Sequence, residues 1–175
     1  MRCPNCHAEI KDADLICLDC GCETVSGKSM RWHLFLVHLG LIVFGVGLIL
    51  MGILILTGMP YLLQGMAPGA VYSQFVTLNV IDVVYGLLLV LLGVMCFLTR
   101  SWLASFRRKG LLGLYIVYAA AIICSVLYSV LSSWAVGTPA DRLFGLMELS
   151  PLIGMAAGVA LNAIYYRKRD FLFRL

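Results

Sequence analysis

Between Trp32 and Thr99 the chain carries a single formal charge, Asp82, and charged residues make up only 13% of its 175 positions. Soluble domains run at about 25% charged and roughly 45–50% apolar residues, whereas this chain is 62% hydrophobic with a mean hydropathy of +0.97. That shortage of charge excludes an ordinary soluble fold. Histidine is equally scarce: His7, His33 and His38 are the only three. All sit in the N-terminal part of the chain, far from the carboxylates Asp82 and Glu148, and no nucleophile with its base can be recognised. An enzyme is therefore not expected. Nor do the 13 basic residues form a stripe on a polar face, because they flank apolar runs instead, so no nucleic-acid partner is expected either.

Long apolar runs are what the chain has in abundance. Where charge and turn residues interrupt them, four spans are predicted, at about 33–57, 80–98, 110–134 and 143–166. Each has about the 20 residues that a helix needs to cross a hydrocarbon layer of about 30 Å. Lys and Arg near span ends stay on the cytoplasmic side. With the N-terminus inside, 12 of the 13 basic residues lie in the cytoplasm: the first 31 residues, the loop from Arg100 to Lys109 and the tail from Arg167. Only Arg142 falls outside. Both termini are thus expected in the cytoplasm, the lipid bilayer is the first partner, and the first helix is expected to serve as its own insertion signal because the first 30 residues are polar and cysteine-rich.

The most specific motif is Cys3-Pro-Asn-Cys6 followed after ten residues by Cys17-Leu-Asp-Cys20-Gly21. Two C-x-x-C knuckles supply four thiolates, the set that closes a tetrahedral Zn²⁺ site with Zn–S bonds of about 2.3 Å. A reducing cytosol favours metal over disulfide, and the charge-derived orientation puts these thiols there. One structural Zn²⁺ on Cys3, Cys6, Cys17 and Cys20 is predicted, with metal binding supplying most of the folding energy of so small a module. A thioredoxin-like role lacks the surrounding strand and helix pattern. His7 and Cys22 sit beside better-spaced ligands, and Cys22, Cys96 and Cys124 are expected to be dispensable thiols. Gly27-Lys28-Ser29 imitates the end of a phosphate loop, but Cys22 stands where its first glycine belongs, which rejects a nucleotide site.

The expected fold is an all-α membrane protein. A zinc ribbon at 1–24 and a linker at 25–32 precede a four-helix transmembrane bundle at 33–166 and a basic tail at 167–175. Gly45 and Gly52 are seven apart, as are Gly86 and Gly93; Gly154 and Gly158 form a GxxxG, and Ser125, Ser129 and Ser133 form a ladder. These predict packing seams, within a compact bundle or on the dimer face of a homo-oligomer. The uncharged segment from Gly58 to Asn79 carries Tyr61, Leu62, Leu63, Met66, Val71, Tyr72 and Phe75, and is expected to lie on the membrane surface or to pack over the bundle, chiefly as an aromatic belt. Trp102, Leu103 and Phe106, ringed by basic residues, suit a short interfacial helix.

Asp82 is the one intramembrane charge that could carry function. Its place after Asn79 predicts a helix start near Val80, with Asn79 as cap and the carboxylate at the positive end of the helix dipole. Glu148 and Arg142 approach from the same side, so an outer polar cluster of Asp82, Arg142 and Glu148 is the alternative. His38, near the inner end of the first span, is an ordinary interfacial imidazole.

With the ribbon, the spans, Asn79-Val80-Ile81-Asp82-x-x-Tyr85-Gly86, the basic inner loop and the tail Asn162-Ala-Ile-Tyr165-Tyr166-Arg167-Lys168-Arg169-Asp170, the chain resembles small bacterial zinc-ribbon membrane proteins with four transmembrane helices. The resemblance covers most of the chain and implies a bacterial cytoplasmic (inner) membrane, but no activity. The order of ribbon and helices is also similar to paraquat-inducible protein A, whose family is associated with lipid trafficking between membranes; only the ribbon cysteines match residue by residue. The expected function is a non-enzymatic adaptor or assembly factor whose ribbon binds a protein partner. The alternative is a transporter or lipid-handling subunit built on the outer polar cluster.

Overall fold

The computed structural model describes residues 6–9, 19–20, 31–137 and 146–167, with side chains from 153 onward in the last stretch. From Arg31 on, every regular element among the described residues is helical: α1 (Arg31–Phe35), a π-helical segment (Leu36–Gly40), α2 (Leu41–Leu56), α3 (Met59–Leu63), α4 (Pro68–Gln74), α5 (Val76–Ala104), α6 (Arg108–Val136) and α7 (Leu146–Arg167). The chain divides into two units, Met1–Leu36 and Val37–Leu175. The second contains the packing described below.

Three helical stretches are long and apolar enough to cross a membrane: Arg31–Leu56, Val76–Ala104 and Arg108–Val136. Their outward faces are apolar as well, with Leu91, Leu112 and Ile123 all more than half exposed. Water solvates such a surface poorly and lipid solvates it well. The middle stretch is longer at both ends than the expected 80–98, because α5 runs unbroken from Val76 to Ala104. The fourth expected span falls on α7, a helix of 22 residues.

α2 packs against α5, α5 against α6, and α6 against α7. The α2–α5 contact is built on the two glycine pairs. A Cβ placed on Gly52 would come within 2.6 Å of the Gly86 carbonyl oxygen, and one on Gly93 within 2.7 Å of the Gly45 carbonyl oxygen. Backbones this close exclude any side chain, which is how small residues hold helices together where no hydrophobic force acts between them. The pairing of Gly45 with Gly93 and Gly52 with Gly86 also makes the two helices antiparallel. The expected seam at Gly154 is not formed: a Cβ there would meet nothing within 4 Å, and at Gly158 only the Tyr118 ring, at 3.5 Å. Both glycines face a cavity instead.

The α5–α6 hairpin closes at Ser105–Arg107. Arg107 N–H donates to the Trp102 carbonyl and Phe106 N–H to the Leu103 carbonyl, each at 3.0 Å, with Phe106 at φ +52°. This is a Schellman ending, with phenylalanine in the left-handed position that usually favours glycine. Trp102 and Leu103 therefore belong to α5 and not to a separate interfacial helix, and Leu103 is fully buried against Gly110 at the start of α6. Arg100, at the charged end of α5, also makes a contact across to the first span. Its Nε donates to the Val37 carbonyl at 2.8 Å, within the π-helical segment whose wider turns disturb the regular backbone pairing.

Candidate functional site

The inward face of α5 reads Leu78, Asp82, Gly86, Leu89, Gly93, Cys96, Thr99 and Leu103, all buried. Steps of three and four residues keep these positions on one side of a helix. Asp82 thus occupies a position where apolar or small residues otherwise stand, and it is 1% exposed. It does not cap its helix. α5 begins at Val76 after Phe75, whose backbone (φ −125°, ψ 73°) makes the corner, and no side chain caps it. Asn79 is exposed within the helix, and Asp82 lies almost two turns in, beyond the unpaired N–H groups of the first turn. The capping expectation is overturned because the helix starts four residues earlier than the sequence suggests.

Three tyrosine hydroxyls take over what the helix end does not supply. Tyr61 Oη on α3 donates to Asp82 Oδ2 at 2.7 Å, Tyr72 Oη on α4 to the same oxygen at 3.0 Å, and Tyr128 Oη on α6 to Oδ1 at 3.0 Å. A carboxylate accepts only, and phenols are competent donors, so the match is complete in kind. Ring contacts fix the donors: Tyr61 and Tyr72 meet edge to face at 5.5 Å, and Tyr128 stacks on Tyr85 at 4.0 Å. Burial, reinforced by the Asp82 carboxylate, pushes the Tyr72 phenol up to about 12 and raises that of Tyr61 as well. Both therefore remain donors at any ordinary pH. The Gly58–Asn79 segment is accordingly more than an aromatic belt. Leu62 and Leu63 are exposed in the manner of one, while Tyr61 and Tyr72 turn to the carboxylate.

Below this cluster lies a cavity of about 690 Å³ between α2, α5, α6 and α7. Phe44, Tyr85, Tyr118 and Tyr128 supply its aromatic wall, the α6 serines from Ser125 to Ser133 its hydroxyl wall, and Gly154 and Gly158 the α7 side. The serine ladder thus lines the cavity, with Ser125 Oγ 3.4 Å from the Tyr85 hydroxyl on α5. Tyr128 belongs to both structures, since its ring lines the cavity and its hydroxyl holds Asp82. Phe44 stacks on Tyr118 across the cavity wall at 5.4 Å.

No family model, curated protein or solved structure matches the chain. The site is accordingly read from its own chemistry. Of the expected outer cluster, Asp82 is placed, whereas Arg142 and the side chain of Glu148 lie outside the described residues. Among the expected zinc ligands, Cys3 and Cys17 lie outside the described residues, while Cys6 and Cys20 are exposed. Among the described residues no three His, Cys, Asp or Glu side chains gather closely enough to hold a metal. Cys96 is buried on the α5 face and Cys124 is partly buried on α6; His33 is buried and His38 exposed. The partners that sequence reasoning missed are Tyr61, Tyr72 and Tyr128. A buried carboxylate requires donors, and Tyr61 and Tyr72 stand, with Ser73 and Thr77, among the hydroxyl-bearing residues of the uncharged segment before Asp82; nothing in the sequence pointed to Tyr128.

Proposed function

We propose that the protein is a non-enzymatic, four-span membrane subunit that takes an amphiphilic molecule into its bundle, as a transporter or lipid-handling component. The observation that carries this reading is the cavity of about 690 Å³ whose wall residue Tyr128 is bonded to the buried Asp82. Binding sites are concave, mostly apolar and supplied with a few convergent polar groups, and an intramembrane ionisable residue marks such a site by default. With the capping role gone, no duty at its own helix end accounts for Asp82, which instead gathers hydroxyls from α3, α4 and α6 beside the cavity. α7 supplies the fourth span, both termini lie in the cytoplasm of a bacterial inner membrane, and Cys3, Cys6, Cys17 and Cys20 hold one Zn²⁺ in a module suited to a protein partner. Support for these points is the gathering of basic residues at span ends and the two C-x-x-C knuckles.

The test uses the full chain in lipid nanodiscs with a photoactivatable diacyl phosphatidylcholine. Adducts are expected in the α6 segment from Ser125 to Ser133 and at Met155, and they should disappear in Gly154→Trp, which fills the cavity from a position where a Cβ meets nothing. Adducts confined to outward residues such as Leu91 and Leu112, unchanged by the substitution, would refute it.

A further inference from the structure

We infer that the molecule received in this cavity is a lipophilic cation, an amphiphile whose positive charge is delocalised or alkylated and has no need of hydrogen bonds. This rests on the cavity reading above and adds the sign of the ligand's charge. Among the described residues no Lys or Arg lines the cavity, and the serine and tyrosine side chains that do line it carry hydroxyls. The nearest formal charge among the described residues is Asp82, whose three hydrogen bonds all come from neutral phenols. Neutral donors spread a carboxylate's charge without cancelling it, so the low-dielectric space beside it keeps a negative potential. α6 carries no acid, and its only bases, Arg108 and Lys109, stand together at its far end.

The aromatic lining points the same way. Four rings line the cavity as two stacked pairs, Phe44 with Tyr118 and Tyr85 with Tyr128. Ring faces attract cations, most strongly where water is excluded. The Tyr128 oxygen, whose proton is already donated to Asp82, has only lone pairs left to offer, which again suits a positive centre. Among the described residues an anionic headgroup would meet neither a base nor a cationic donor here, and a neutral one would leave the buried charge unused. Asp82 itself is shielded behind Tyr128, so the carboxylate acts as a fixed counter-ion at one remove and not as a direct ligand.

Binding of radiolabelled tetraphenylphosphonium to the full chain in neutral phosphatidylcholine nanodiscs tests this. Size-matched tetraphenylborate and neutral triphenylphosphine oxide serve as separate comparators. Saturable binding of the cation is expected, at least tenfold tighter than either comparator, and weakened at least tenfold in Asp82→Asn. Tyr128→Phe, which keeps the ring and the carboxylate, should retain preference for the cation, so a misfolded Asp82→Asn protein does not leave the inference without a test. Equal affinity for the three probes overturns the inference while leaving the cavity reading in place if the phosphatidylcholine adducts map to α6. No binding of any probe, together with no cavity adducts, overturns both.

Discussion

Removing one tyrosine hydroxyl from Asp82 should be worse for the fold than removing the charge it serves. In Tyr128→Phe the carboxylate, 1% exposed, keeps the bonds from Tyr61 and Tyr72 at 2.7 and 3.0 Å but loses the 3.0 Å bond on Oδ1. A hydrogen bond to a charged group is worth about 1.5–3 kcal/mol, so a loss of about 2 kcal/mol is expected. Asp82→Asn acts differently. The amide oxygen can still accept from two phenols, and the third hydroxyl can rotate to accept from the amide N–H. Three charge-assisted bonds become neutral ones, worth about 0.6 kcal/mol each between membrane helices, while the several kcal/mol penalty of a desolvated charge disappears. The net change should be small. In the Asp82→Asn background Tyr128→Phe should then cost only about 0.6 kcal/mol, for a coupling of about 1–2 kcal/mol between the two sites. Unfolding of the four proteins of this cycle in mixed micelles measures it. A Tyr128→Phe loss of the same size in both backgrounds would show that no ionised carboxylate is being held, and the account of the cluster would fall.

Gly52→Ala and Gly86→Ala should each destabilise the α2–α5 pair by about 1–3 kcal/mol, as overpacking does, since the new methyl group meets a backbone carbonyl or a leucine side chain at 3.0 Å or less. Gly154→Ala, with open space around it, should be tolerated; equal losses at all three sites in thermal melts would contradict the seam. Tyr72 adds a pH dependence. Its folded-state pKa lies near 12 against an ordinary value of about 10, so the folded state holds the proton longer, and stability is full below about pH 10 and lost as pH rises from there towards 12. Melts across that window should show a shallower fall in Tyr72→Phe than in the parent, and parallel slopes would refute the assignment. Metal analysis of purified protein should give about one zinc per chain, lost in the double variant Cys17→Ser, Cys20→Ser; full retention would reject the ribbon.

Composition was enough to place this chain among helical membrane proteins, because a hydrocarbon layer accepts only backbone that satisfies itself and side chains that are apolar, and both demands are local. The glycine spacing at Gly45, Gly52, Gly86 and Gly93 was legible for the same reason: a seven-residue step marks one face of one helix. Element ends were less so. Val76-Thr77-Leu78 reads equally well as outer loop or helix in an apolar context, and that ambiguity turned Asp82 from an interior carboxylate into a supposed cap. The partners of Asp82 lie 21, 10 and 46 residues away, on α3, α4 and α6. No periodicity within a segment encodes such distances; only the antiparallel packing of α5 against α6, and the return of α3 and α4 beside them, brings those hydroxyls together. The GxxxG of α7 and the serines of α6 show the converse, since small residues permit close packing without enforcing it. Whether they meet a neighbouring helix or border a cavity depends on where the larger Phe44, Tyr85 and Tyr118 rings hold the backbones apart, and the tertiary structure alone decides that.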